Sequence, residues 1–150
     1  MQGMRATSTE LGFSLIELVV TVAISATMMG IAVTQFNDML NPAQSSASNI
    51  AAFFKEARAR AVSTTSAYRV QPTSSRQIVA YFGNTCSNTP SQDPRLMLDL
   101  PTDVTLTSIG WNTCFSSRGL ADTNTTVSVI DDEGLSQSIE VFLGGAVRIN

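Results

Sequence analysis

The main feature of the hydropathy pattern is one apolar run over residues 13–40. Its charged residues are Glu17 and Asp38, and it contains no proline. As an α-helix this run would be about 40 Å long, which exceeds the roughly 30 Å of a bilayer's hydrocarbon core. The pattern therefore predicts a membrane-spanning helix over 13–40.

A second helix is predicted after a break at Asn41-Pro42, because a proline ring disfavours an uninterrupted helix. Over about 43–63, apolar residues recur at spacings of three and four and give one apolar stripe. The stripe consists of Ala47, Ile50, Ala51, Phe54, Ala57, Ala61 and Val62. An amphipathic helix of this kind is expected to pack on a sheet.

From residue 66 the pattern is typical of short β-strands separated by turn residues. A hairpin is predicted from 67–70 and 77–82, followed by a loop over 83–94 that is rich in Asn, Ser, Thr and Pro. Further strands are predicted at 96–98, 104–109, 112–115, 126–130, 138–143 and 146–149, the last three as an antiparallel meander with turns at Gly134 and Gly144-Gly145. The predicted fold class is α+β, with a long N-terminal helix packed on a small antiparallel β-sheet domain.

The start of the apolar run has three unusual features. A short polar segment, 1–12, precedes it, Gly12 stands directly before it, and Glu17 lies inside it. A lone ionisable group in hydrocarbon costs several kcal/mol by order of magnitude, which indicates a function and a partner. Two simpler interpretations remain open: a secretory signal peptide cleaved after the run, and a single-span anchor in which Glu17 is incidental.

Residues 12–18, Gly-Phe-Ser-Leu-Ile-Glu-Leu, resemble the class III signal of type IV pilins and type II secretion pseudopilins. The resemblance implies cleavage by a prepilin peptidase between Gly12 and Phe13, N-methylation of Phe13, and neutralisation of a neighbouring subunit's amine by Glu17. It also implies a leader at 1–12, a transmembrane and assembly helix at 13–40, and an exported domain with the type IV pilin fold at 41–150.

The same resemblance implies partners and a location. The partners would be other pilin or pseudopilin subunits, the prepilin peptidase and an inner-membrane assembly platform. The chain would first span the bacterial inner membrane once, with its C-terminal domain exported, and would then enter a pilus or pseudopilus.

Three later segments resemble motifs of the GspH/FimT-type minor pseudopilins. They are the helical residues 56–61, the segment 114–119 that ends in glycine, and the terminal residues 145–149. Arg60 and Ala146 stand where that group frequently has glutamate and arginine. In the helical segment, Glu56 and Arg60 are spaced to pair at i,i+4. Arg58 falls near the centre of the apolar stripe, where it either extends its head to water or pairs with a carboxylate.

Cys86 and Cys114 both lie on the exported side of the predicted anchor. An even number of cysteines in an oxidising compartment favours a disulfide, and two buried free thiols are the alternative. Closing a loop of about 29 residues would stabilise the fold by roughly 3 to 4 kcal/mol.

The composition does not favour catalysis or general binding of polyanions. The chain has 9 basic and 12 acidic residues, a net charge of −3 and no histidine. The usual catalytic bases and phosphate loops are missing, so we expect no enzyme, no cofactor and no metal. Asp131-Asp132-Glu133 is interpreted as a solvated turn, with a calcium site as the alternative.

Three functions follow from these patterns. The first is a minor pilin or pseudopilin that has a structural or initiating role in a type IV pilus or type II secretion filament. The second is a DNA-binding minor pilin for DNA uptake, with Lys55, Arg58, Arg118 and Arg148 as candidate phosphate contacts. The third is a membrane-anchored module that binds protein or cell-wall ligands without joining a filament.

Overall fold

The computed structural model describes residues 14–25 and 41–150. These belong to two compact units, of which the first contains 14–25 and the second contains 41–150. In the first unit, helix α1 covers 15–25. The rest of the helix predicted over 13–40 lies outside the described residues. Within the described ranges, no helix is both long and apolar enough to cross a membrane.

Helix α2 (Pro42–Ser63) opens the second unit, and it starts where the sequence predicts a break. Asn41 is extended, with φ −97° and ψ 100°, and its Oδ1 accepts a hydrogen bond of 3.0 Å from the N–H of Gln44. Pro42 follows at the first helical position, where its missing N–H costs nothing. Asn41 therefore acts as the N-cap of α2.

Eight strands form two antiparallel sheets of four strands each. The strands are β1 (Ala67–Ser74), β2 (Gln77–Gly83), β3 (Ser91–Asp99), β4 (Val104–Leu106), β5 (Thr113–Phe115), β6 (Thr125–Asp131), β7 (Ser136–Val141) and β8 (Val147–Ile149). The first sheet has the order β3-β2-β1-β5 and the second has the order β4-β6-β7-β8. The α+β class and the small antiparallel β-sheet domain are confirmed, and the strands of this domain are divided between two sheets, with β4 and β5 in different ones.

The β1–β2 hairpin and the β6–β7–β8 meander are confirmed. The loop predicted over 83–94 is wrong in its last part, because β3 already begins at Ser91 and pairs with Phe82. The register then shifts between Val79 and Tyr81, opposite the segment of β3 that contains Pro94. A proline has no N–H for the ladder, so this irregularity is where β3 tolerates it.

The core lies between α2 and the two sheets. The apolar stripe of α2 is buried as predicted, except for Val62, which is 51% exposed. Phe54 is fully buried, and its ring centroid lies 5.8 Å from that of Trp111 and 6.4 Å from that of Phe115. Because these aromatic residues come from the helix and from the β5 region, they fix α2 against the first sheet.

Candidate functional site

Helix α1 carries Glu17 on a largely apolar segment whose side chains are exposed. Leu15 is 83% exposed and Ile16 is 68% exposed. Within the described ranges Glu17 has no ion-pair partner, and its backbone groups make helical hydrogen bonds to Ser14 and from the Thr21 hydroxyl. Gly12 and Phe13, the predicted cleavage and methylation positions, lie outside the described residues. Among the described residues, this helix therefore presents a largely apolar surface with one carboxylate.

Arg58 lies between α2 and two turns that connect strands. Its Nε donates a 2.9 Å hydrogen bond to the carbonyl oxygen of Gly119, and its head is partly buried. Gly119 and Gly145 both have a φ of +76°, a conformation that side chains rarely adopt. A Cβ on Gly145 would lie 2.2 Å from the Gly119 oxygen and 2.6 Å from Arg58 Nε. Arg58, Gly119 and Gly145 thus form a close-packed junction, which we call the arginine junction.

The arginine junction decides between the two interpretations of Arg58. Within the described residues no carboxylate lies within ion-pair distance of it, so the predicted ion pair is wrong there. The hydrogen-bond partner of Arg58 is instead a backbone carbonyl, which requires an N–H donor but not a positive charge. One residue from each of the three resembling segments 56–61, 114–119 and 145–149 meets here, a convergence that the sequence motifs did not predict.

Arg60 makes the ion pairs on the other side of the helix. The predicted pair with Glu56 is confirmed at 2.6 Å, and a second one links Arg60 to Asp93 of β3, also at 2.6 Å. Burial opposes the ionisation of Asp93, but hydrogen bonds from the N–H of Arg95 and from Arg60 outweigh it and lower the pKa of this carboxyl below its ordinary value. The Tyr68 hydroxyl lies 3.5 Å from the same carboxylate. This pair fixes the end of α2 to the edge strand of the first sheet.

Cys86 and Cys114 form the predicted disulfide, with an S–S distance of 2.04 Å. It ties the loop after β2 to β5, across β1. Arg69 of β1, which is opposite Cys114 in the register, donates to the carbonyl oxygen of Cys86 and, at 2.9 Å, to Oδ1 of Asn112. The loop is therefore fixed by both a covalent bond and a charged side chain.

The acidic turn between β6 and β7 is organised by Asp131. Its Oδ1 accepts hydrogen bonds from the N–H groups of Glu133 at 3.1 Å and Leu135 at 2.8 Å. Asp132 and Glu133 are exposed, as predicted for a solvated turn, but Asp131 is only 6% exposed and is therefore buried. No group of three metal-ligating side chains occurs in the described part of the chain.

The four candidate DNA contacts differ in their surroundings. Lys55 and Arg58 line the same groove on α2. Arg118 is exposed and precedes Gly119 of the arginine junction. Arg148 is already engaged: it pairs with Glu140 at 3.0 Å, and its guanidinium carbon lies 5.8 Å from the centroid of the Phe142 ring.

Sequence reasoning missed Asp93, Arg69 and the role of Gly145. Asp93 is 33 positions from Arg60, and no periodicity connects the two residues. A signal did exist for the glycine, because two adjacent glycines before a terminal strand suggest a tight approach as well as a turn. The sequence alone did not name the group that approaches.

The architecture of the second unit is similar to solved structures, although no protein-family model and no curated protein sequence matches the chain. The type IV minor pilin FimU of Pseudomonas aeruginosa matches with a TM-score of 0.60 at 17% identity, over 75% of this chain and 91% of that one. A second crystal form of FimU gives 0.55 at 19% identity, over 71% and 91%. The minor pseudopilin EpsH of the Vibrio cholerae type 2 secretion system gives 0.54 at 13% identity, over 73% and 97%.

This chain has a type IV pilin-like fold. The fold predicted from the resemblance of residues 12–18 is therefore confirmed by a comparison that depends on shape and hardly on sequence. In this pilin-like chain, α2, both sheets and the core between them all belong to that fold. The similarity covers most of the length of each solved structure, so it concerns the whole architecture and not one shared motif.

Proposed function

We propose that this chain is a minor pilin or pseudopilin, a structural subunit of a type IV pilus or a type II secretion pseudopilus. The observation that carries the proposal is the combination of a type IV pilin-like fold with an exposed apolar helix that contains one carboxylate, Glu17. A soluble domain gains nothing from such a helix by itself. A subunit that is first held in a membrane and then packed among similar helices needs both the apolar surface and the carboxylate.

In this proposal a prepilin peptidase cuts between Gly12 and Phe13, and the new amine of Phe13 is methylated. The chain then spans the inner membrane with its second unit exported until an assembly platform inserts it into the filament. Glu17 neutralises the positive amine of a neighbouring subunit, because two opposite charges in a medium of low dielectric offset part of each other's desolvation. The role is structural and requires no catalytic group.

Shearing of surface filaments tests this function. Filaments from the native host are sheared, sedimented and probed with an antibody against the second unit, in parallel with strains that lack the major pilin or the major pseudopilin. We expect the chain in the filament fraction and its loss from that fraction in one of the two strains. Retention of all the chain in the membrane fraction would instead favour an anchored binding module.

A further inference from the structure

The second half of α2 carries an open surface depression of about 450 Å³, which we call the groove. Lys55, Arg58, Ala59, Val62 and Ser63 line it. These residues are spaced three and four apart, so they lie on neighbouring turns of one helix face. The groove is therefore a feature of α2 itself, next to the arginine junction.

One cation of the groove is held in place. Arg58 uses Nε for the Gly119 carbonyl, and the close approach of Gly145 leaves its side chain little freedom. Its terminal nitrogens, Nη1 and Nη2, have no hydrogen-bond partner among the described residues. A guanidinium that is already ordered loses less entropy when it binds a carboxylate than a free one does.

Lys55 is the second cation of the groove, and it is the single lysine of the chain. It is exposed and forms no ion pair within 41–150 or 14–25. Arg60, five residues later, differs from Lys55 because two carboxylates of the same chain neutralise its charge. The groove thus presents positive charge that the described part of the chain leaves uncompensated.

The groove also has an apolar wall. Val62 is 51% exposed although it belongs to the predicted apolar stripe, and Ala59 lies beside it. Arginine is enriched in protein–protein interfaces, whose buried core is more apolar than the rest of the surface. Both the charge and the apolar wall suit a protein segment.

We infer that this groove binds an acidic segment of a neighbouring pilin-like subunit, with one carboxylate placed between Lys55 and Arg58 and an apolar side chain against Val62. The inference rests on the proposed function and adds to it a contact between the globular units. Nucleic acid fits less well, because its affinity comes from neutralising many phosphates at once. The groove offers two cations, Arg118 is not among its lining residues, Arg148 is engaged elsewhere, and the chain has a net charge of −3.

Carbodiimide crosslinking of sheared filaments tests the inference. The reagent activates a carboxylate, the Lys55 amine attacks the activated carbonyl carbon, and a C–N bond forms while the reagent leaves as a urea and the amine loses a proton. The product is an amide, and the two joined peptides together weigh one water less than their sum. Because the chain has one lysine, the crosslinked position is defined before the experiment.

The matched control is Lys55→Arg, which keeps the positive charge but cannot form this amide. We expect wild-type filaments to give a peptide pair that joins Lys55 to an Asp or Glu of another pilin-like protein, and we expect Lys55→Arg filaments to lose it. If the chain is in the filaments but gives no such pair, or joins Lys55 only to its own carboxylates, the inference is overturned and the proposed function stands. If the chain is absent from the filaments, the proposed function is overturned, and the inference with it.

Formaldehyde crosslinking of intact cells is the second arm, since it joins lysine amines to nucleobases. We expect no crosslinked product of this chain that disappears after treatment with nuclease. A product that is sensitive to nuclease and lost in Lys55→Arg would overturn the inference in favour of DNA contact.

Discussion

Arg58 crosses from α2 to the Gly119 carbonyl, which its Nε contacts at 2.9 Å. The bond joins a helix to a turn 61 positions later in the chain. It is made possible by Gly145, whose missing side chain leaves room for both groups. The stability of the arginine junction therefore depends on a residue that forms no side-chain contact of its own.

The first prediction follows from this geometry. Gly145→Ala should destabilise the second unit by at least about 1 to 2 kcal/mol, the cost of a left-handed conformation for a residue with a Cβ, with the steric clash in addition. Chemical denaturation monitored by the fluorescence of Trp111 measures the free energy of unfolding.

Two other glycines provide the controls for this prediction. Gly134 has a φ of +84° with open space around it, so Gly134→Ala should show the conformational cost alone. Gly144 has neither a positive φ nor a neighbour within 4 Å, so Gly144→Ala should be almost neutral. Equal unfolding energies for all three variants would mean that the close approach at Gly145 has no energetic role.

The second prediction concerns pH. The folded-state pKa of Asp93 is lower than its ordinary value, so the stabilisation that this carboxylate gives is complete above the unfolded-state pKa of about 3.9 and is lost as the pH falls through the folded-state value. Wild-type protein should therefore lose stability progressively below about pH 4, and Asp93→Asn should lose less over the same range.

At pH 7 the same variant should be less stable by about 1 to 2 kcal/mol, because Arg60 loses a charge-assisted hydrogen bond but keeps Glu56. Thermal unfolding from pH 2.5 to 7 would compare the two proteins. If the melting temperatures of wild-type and Asp93→Asn protein fell by the same amount as the pH is lowered, Asp93 would not contribute to the acid sensitivity.

The third prediction is that residues 41–150, expressed alone in an oxidising compartment, are soluble with Cys86 and Cys114 joined. Replacing both cysteines by alanine should cost about 3 to 4 kcal/mol, since the disulfide closes a loop of 28 sequence positions. Thiol titration under denaturing conditions and urea unfolding are the two measurements. Free thiols in the purified fragment would contradict the predicted disulfide.

The fourth prediction is that Gly12→Val abolishes maturation, because a branched side chain obstructs a peptidase at the scissile bond. The precursor should accumulate with its leader of 12 residues still attached, and intact-mass measurement of the membrane-extracted chain would detect it. An unchanged mature mass would remove the class III assignment of residues 12–18.

The fifth prediction is that Glu17→Ala permits insertion and cleavage but sharply lowers incorporation into filaments. An apolar side chain makes the helix more stable in lipid, since it replaces a group that costs several kcal/mol there. A mutant that inserts well and assembles poorly would show that Glu17 acts between subunits. The control is the amount of mature chain in the membrane, which should not fall; equal amounts of wild-type and mutant chain in sheared filaments would contradict the assembly role.

The helical parts of this fold were predictable because their signals are local. The start of α2 follows from Asn41-Pro42, and the i,i+4 spacing of Glu56 and Arg60 predicts their ion pair. The hairpin and the terminal meander were also predictable, since each pairs strands that are neighbours in sequence. Strands were also predicted where β4 and β5 lie, although β4 ends earlier than expected, but local signals do not show that these two strands join different sheets.

The candidate site was less predictable than the fold for the same reason. Arg58 was recognised as unusual, but its partner is a carbonyl oxygen, and every residue has one. Asp93 lies in a polar segment with a proline, which is typical of a loop, and only the register shift beside Val79 makes it part of a strand. Contacts between distant segments leave no periodic trace in the sequence.

The cap at Asn41 has a consequence for the order of events in the life of this chain. Since Asn41 Oδ1 accepts a hydrogen bond from the N–H of Gln44, this N–H of the first turn of α2 needs no carbonyl of a preceding helical turn. The preceding segment is synthesised first, and the second unit can then fold whatever surroundings that segment has. The N-terminal segment can then change its surroundings without any refolding of the unit that follows it.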